Sequence, residues 1–330
     1  MHEEKIVLAR QQIDVLRKEF KKQDIHKVCL VSCGGSLATL YPLKYILERE
    51  TDQVFTAIYS ANEFYNDPPK NLAHSLVIFN SQSGQTPETV NAAKLAHSQG
   101  ALCAAFTAKP GSEIEKAVDC PIYYYDNPVD PYPLVLSIFP EVYQTVFSLL
   151  DEIEGTQTLE DMRYAMDQLE SVCSKAVSEF SPLAHEFAQK NRSEPLIYTV
   201  SAGLDLCIAY ILTNCSFMES IWRHSSPIHA GEFFHGACEA FDKNTSVVAF
   251  LGLGKYRAVE ERAVKFLERI TEKLVVLDAR ALDLSALPEW TRECVAPLVL
   301  HSIASDFCLQ ISYLTGHPMT SRRYMGVMKY

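Results

Sequence analysis

The chain has 330 residues, 48% hydrophobic and 22% charged, enough for one large or two medium globular domains. Its formal net charge is −11 and it has no run of five or more Lys/Arg, which disfavours a nucleic-acid or anionic-membrane surface. Of its ten cysteines none forms a C-x-x-C pair and most sit in apolar runs (Cys29, Cys103, Cys207, Cys215, Cys308), a pattern that predicts reduced thiols in a cytoplasmic protein and disfavours a zinc site.

The first segment, MHEEKIVLARQQIDVLRKEFKK, is charged and helical in period, and does not read as a secretory signal. VCLVS (28–32) predicts a short strand ended by CGGS. LATLYPLKYILERE predicts a helix, strained or kinked at Pro42. VFTAIYS (54–60) and LVIFN (76–80) predict two more strands, followed by a helix over 87–98 that stops at Gly100. ALCAAFTA (101–108) is a further strand. Short apolar strands alternating with helices predict a parallel sheet covered on both faces.

A helical stretch over roughly 141–190 leads into a second series. LIYTVSAG (196–203) repeats the first strand and its glycine turn. The apolar stretch 204–218 is too short and too polar to span a membrane. SVVAFLGL (246–253) and KLVVLDA (273–279) are strands that flank the helix YRAVEERAVKFLERI, and a last helix is predicted around 294–315. Three strand pairs are offset by nearly the same distance: 28 to 197, 76 to 247 and 103 to 275. The fold class expected is therefore α/β, two tandem parallel-sheet domains flanked by helices, over residues 1–150 and 151–330.

FNSQSGQTPETV (79–90) concentrates small donors at a strand-to-helix junction. Thr86 suits the N-cap and Pro87 the first helical position. Exposed N–H groups and the helix dipole favour an anion there, and Ser81, Gln82, Ser83 and Thr86 add donors around the same point. Gly84 permits close backbone approach. A second loop, with Gly34, Gly35 and Ser36, follows the neighbouring strand and opens on the same edge, where ligands bind in open α/β sheets. Four donors and two glycine loops exceed the needs of a capped helix and predict a phosphate grip. Neither loop matches a mononucleotide or dinucleotide fingerprint.

The segment NCSFMESIWRHSSPIHAGEFFHGA (214–237) carries the acid–base candidates. Glu219 lies in an apolar helical pattern, where burial would suit it to proton transfer. Arg223, four residues on, offers a structural ion pair instead. His224, His229 and His235 compete for a catalytic role, and the residues by themselves do not choose among these readings.

CGGS, SQSGQTPET and MES…IHAGEFFHG together resemble the sugar isomerase (SIS) domain family over nearly the whole chain. YSANEF (59–64), YTVSAG (198–203), GEFFHG (231–236) and RRYM…Y (322–330) resemble its fructosamine-6-phosphate deglycases. The resemblance implies two flavodoxin-like SIS domains, with phosphate binding at Gly34, Gly35, Ser36, Ser81, Gln82, Ser83 and Thr86. It places the catalytic acid on Glu219 and the histidine on His235, and implies no metal or cofactor. It further implies a homodimer in which one subunit supplies the histidine to its neighbour. The expected reaction cleaves a 6-phosphorylated sugar–amine adduct to hexose 6-phosphate and amine. The alternative is an aldose–ketose phosphate isomerase or a glucosamine-6-phosphate deaminase-like enzyme. The chain departs from the deglycase pattern at GACE (236–239), at Arg223 and at Gly326–Lys329, near the expected amine side. Arg322, Arg323 and Tyr324 are candidate carboxylate binders there.

Overall fold

In the computed structural model, which describes residues 2–126 and 132–329, unbroken apolar runs become strands buried on both faces. The elements of the first half are α1 (His2–Lys21), β1 (Lys27–Ser32), α2 (Gly34–Thr39), α3 (Tyr41–Glu50), β2 (Phe55–Ser60), α4 (Ala61–Asn66), β3 (Ser75–Asn80), α5 (Pro87–Ser98), β4 (Leu102–Thr107), β5 (Cys120–Tyr123), α6 (Ile138–Glu154) and α7 (Leu159–Asp167). Then follow α8 (Leu169–Asn191), β6 (Leu196–Ser201), α9 (Asp205–Ile211), a π-helical segment (Leu212–Ser220), β7 (His224–His229), β8 (Ser246–Leu251), α10 (Arg257–Ile270), β9 (Lys273–Asp278) and α11 (Arg292–Thr315).

Compactness divides the chain into Met1–Glu170 and Ser171–Tyr330. The border drawn from the sequence at 150/151 lies within α6, which packs with α7, α1 and α3. In unit 1 the strands run β2-β1-β3-β4-β5, all parallel. In unit 2 they run β7-β6-β8-β9, also parallel. The second order repeats the first with β6, β7, β8 and β9 standing for β1, β2, β3 and β4, so the three constant offsets reflect one repeated topology. Both are the flavodoxin-like order, in which strand direction of growth reverses beside the first strand and leaves a crevice at the carboxyl ends.

Two expectations change in detail. The helix expected through Pro42 is two helices, because proline sits in the first turn of α3, where its missing N–H costs nothing. β5 and β7 are additional strands. β7 (HSSPIH) is an edge strand whose residues are all partly or fully exposed, so it carries no apolar run.

The helical stretch Glu289–Thr315 has the length and hydropathy of a membrane span, and 61% of its most apolar window is buried within the protein. Val295, Val299, Ile303, Phe307 and Ile311 are all buried, and α11 packs on α9 and the π-helical segment as a core helix of unit 2.

Candidate active site

In unit 1 the donor loop begins where β3 ends and closes on α5. It is held by backbone bonds to its neighbours: Ser81 N–H to Phe106 O (3.0 Å), Ala108 N–H to Gln82 O (3.1 Å) and Ile114 N–H to Gly84 O (3.0 Å). Gly84 has φ +62°, and a Cβ there would stand 2.2 Å from Ser112 Oγ. The close approach that requires glycine is thus to the protein's own Ser112. Thr86 occupies the N-cap position with Pro87 behind it, but its side chain makes no capping bond; its hydroxyl instead accepts from Ser81 Oγ at 3.2 Å. Ser83 Oγ accepts from Gln85 N–H (3.2 Å), and Gln82 donates to Asp126 Oδ2 (2.7 Å). Burial pushes the Asp126 carboxyl up.

Gly34, Gly35 and Ser36 form the first turn of α2, directly after β1; Gly34 has φ +55° with open space on its Cβ side. The structure brings this turn and the donor loop together through Asn80, a residue sequence reasoning missed. Its buried amide donates to Thr39 Oγ1 (2.8 Å) and Ser36 O (3.4 Å), while Ser32 Oγ donates to Asn80 O (2.5 Å). A fully polar side chain closing an apolar strand is the signal that could have found it.

The matching crevice of unit 2 is already full. Glu260 accepts the N–H groups of Ala202, after β6, and Gly252, after β8, both at 2.8 Å. These are N–H groups of the two crevice loops, so an internal carboxylate sits where an external anion would be cradled. Tyr256, Asp205 and Glu293 fill the remaining space: a Cβ on Gly203, Gly252 or Gly254 would meet one of them at 2.3 Å. Anion binding at the switch point of unit 2 is therefore closed.

Unit 2 carries Glu219, the acid candidate, away from this crevice. The chain leaves α9 through nine π-helical residues, Leu212–Ser220. Polar side chains divert backbone carbonyls along this stretch: Thr213 and Asn214 both donate to Tyr210 O, and Ser220 Oγ to Cys215 O. Such segments are frequent at functional sites. Glu219 lies near its end with 27% of its side chain exposed. Trp222 then takes a left-handed conformation (φ 58°), and the chain turns into β7. That turn removes Arg223 from the helical face, and its Nη2 donates to Arg192 O at 2.7 Å. The i, i+4 pair with Glu219 does not form.

Glu219 pairs instead with Arg322, Oε1 to Nη2 at 2.7 Å. The tail is clamped over the π-helical end: His317 Nε2 donates to Ser220 O (3.1 Å), Trp222 and His317 meet edge to face, and the Arg323 guanidinium lies 4.2 Å over the Trp222 ring. Glu219, Trp222, Arg322 and Arg323 border a cleft of about 370 Å³, with Arg223, His224 and Tyr324 also in its wall. Tyr330, the end of the tail motif, lies outside the described residues.

His235 is exposed in the turn after β7, behind Phe233 and Phe234, which anchor that turn in an aromatic cluster with Phe241 and Phe266. It does not line the Glu219 cleft. His229 is engaged locally, its Nδ1 accepting from Gly231 N–H. Among the described residues one trio of metal-ligand type lies together, Asp24, His26 and His74; all are exposed and joined by their own hydrogen bonds near the amino end of β1. None of the ten cysteines forms a disulfide, and burial pushes the Cys29 and Cys215 thiols up to about 11, so neither supplies a nucleophile near neutral pH.

Residues 23–138 match the SIS domain family. Over 98% of its length the chain is 36% identical to fructosamine deglycase FrlB of Bacillus subtilis (strain 168), covering 98% of that protein. It is 28% identical to the fructoselysine 6-phosphate deglycase of Escherichia coli O157:H7, over 95% of this chain and 89% of that one. A crystal structure of a candidate phosphosugar isomerase from Bacillus subtilis superposes with a TM-score of 0.94 at 35% identity, covering 99% of this chain and all of the other.

Proposed function

The chain belongs to the SIS-domain family, in its fructosamine deglycase subgroup, and on that premise we propose that it cleaves a 6-phosphorylated sugar–amine adduct to a hexose 6-phosphate and a free amine. The observation that carries this reading is Glu219, a carboxylate set in a π-helical turn at the edge of an arginine-lined cleft. An acid–base group beside a cationic recess is what proton transfer on an anionic sugar adduct needs. The names of the two curated relatives favour this reading over a plain isomerase.

The donor loop Ser81–Thr86 and the Gly34–Ser36 turn hold the phosphate with neutral donors and a helix N-terminus, which fixes one end of the substrate without taking part in the chemistry. His235 assists ring opening of the ketosamine. Glu219 then takes a proton from C1, giving an enaminol, and returns it to C2. The product is an imine at C1, and water adds to it to release the amine and leave the aldehyde of the hexose 6-phosphate. One group serves both proton transfers because the proton leaves and arrives on adjacent carbons.

The site is proposed to work in a homodimer, with His235 supplied across the subunit boundary. Its exposure, and its absence from the Glu219 cleft of its own unit, support that arrangement. Exposed apolar side chains on α11, Leu309 and Tyr313 one turn apart, offer surface for association. Ten cysteines without a disulfide support a cytoplasmic setting.

The test is incubation with fructoselysine 6-phosphate and assay of glucose 6-phosphate and lysine. Turnover is expected in the wild type, with a loss of ~100-fold or more in Glu219→Gln. Deuterium exchange from solvent into fructose 6-phosphate, with no turnover of any amine adduct, would instead establish an isomerase.

A further inference from the structure

We infer that Arg322 is a latch on Glu219, released by a carboxylate on the amine portion of the substrate. The inference rests on the deglycase reading and adds to it a means by which the acid prefers adducts of carboxylate-bearing amines.

Glu219 Oε1 is ion-paired with Arg322 Nη2 at 2.7 Å. A carboxylate committed in this way has one oxygen fewer to offer the C1 proton, and its guanidinium partner occupies the space beside it. Productive chemistry therefore needs the guanidinium moved. Arg322 is built to move without losing the tail. Its Nη1 is held by carbonyls of its own segment, Met319 O (2.9 Å) and Ser321 O (2.8 Å), so Nη2 is the arm that reaches away. The tail is separately secured by His317 on Ser220 and by Arg323 on Trp222. Both members of the pair are partly solvent-exposed, at 27% and 29%, so the swap does not require opening a packed core.

The charge of the cleft identifies the key. Its wall holds three guanidiniums, Arg223, Arg322 and Arg323, against the single carboxylate of Glu219. The Arg223 Nε is buried without a partner. In a chain of net charge −11 this is a local reversal of sign that attracts an anion. A substrate carboxylate that enters the cleft takes Arg322 in exchange for Glu219. The guanidinium trades one carboxylate for another, and Glu219 is freed only when the right amine portion is present. Arg322 is thus a positioning and specificity residue, acting through Glu219.

The experiment compares the 6-phosphofructosyl adducts of lysine and of cadaverine, which differ only by the carboxylate, with wild type, Arg322→Gln and Arg322→Lys. The wild type is expected to prefer the lysine adduct by about tenfold or more in kcat/KM, with part of the preference in kcat. Arg322→Gln is expected to lose that preference from both sides: KM for the lysine adduct rises, and kcat for the cadaverine adduct increases because Glu219 is no longer held. Arg322→Lys is expected to retain part of the preference. Equal loss on both adducts in Arg322→Gln, or no discrimination by the wild type, would overturn the latch while leaving the deglycase reading intact. No turnover of either adduct by the wild type would overturn both.

Discussion

The side-chain amide of Asn80 donates to the hydroxyl of Thr39 at 2.8 Å, and so ties the end of β3 to the helix that follows β1. The same amide reaches Ser36 O, within the turn proposed to bind phosphate. Asn80→Ala removes these bonds in a buried setting and leaves the Ser36 carbonyl and the Thr39 hydroxyl bonded to each other (2.8 Å) without the amide that ties them to β3. The expected cost is roughly 1–3 kcal/mol of stability. KM for the phosphorylated substrate should rise more than kcat falls, because the grip loosens while the acid is untouched. A purely structural role would leave KM unchanged in the folded fraction.

Gly84 makes a different kind of demand on the same loop. Its φ of +62° is strained for any L side chain, and a Cβ would lie 2.2–2.3 Å from the Ser112 side chain. Gly84→Ala should therefore lower Tm. The conformational part alone is about 1–2 kcal/mol. Ser112→Gly in the same chain should return only the steric part, and full recovery in the double variant would show that the backbone conformation costs nothing here.

The strands and their repetition could be read from the sequence because a strand covered on both faces must be an unbroken apolar run, as in LVIFN and SVVAFL. The donor loop was legible as a strand-to-helix junction, because Gly84 marks the turn and Thr86–Pro87 the helix start. β7 was not, because an edge strand needs no apolar run. The partner of Glu219 was not either. The i, i+4 rule assumes an α-helix, and the π-helical segment with left-handed Trp222 breaks that assumption. The true partner, Arg322, lies a hundred residues away in sequence, a pairing that no local spacing encodes.

The filled crevice of unit 2 has a consequence for pH. Both Asp205 oxygens are buried, with no N–H or O–H partner among the described residues, and Asp205 lies within hydrogen-bonding reach of Glu260. A shared proton satisfies the pair. Burial, and then the neighbouring Glu260 carboxyl, hold Asp205 well above the usual carboxylate range, and burial pushes Glu260 up to about 7. In the unfolded chain Glu260 loses its proton near 4.5, while in the folded protein it keeps it to about 7. Between those values the folded state binds more protons, so stability falls as pH rises, by an amount on the order of 3 kcal/mol for Glu260. Tm should decline from pH 5 to pH 7.5. Glu260→Gln removes one of the two raised carboxyls and should make the decline shallower; an unchanged slope in that variant would show that Glu260 is not its source.

If His235 acts across the subunit boundary, two inactive variants should rescue each other. Glu219→Gln and His235→Asn are each expected to be nearly inactive as homodimers. Mixed by denaturation and refolding, or by co-expression with different tags, they form heterodimers with one site lacking both groups and one site intact. With random pairing about a quarter of all sites regain both groups, so activity should return to about that fraction of the wild-type value. The rescued fraction should follow the amount of heterodimer isolated on the two tags. Activity that stays at the level of the separate variants, in a sample shown to contain heterodimer, would place Glu219 and His235 in the same subunit's site.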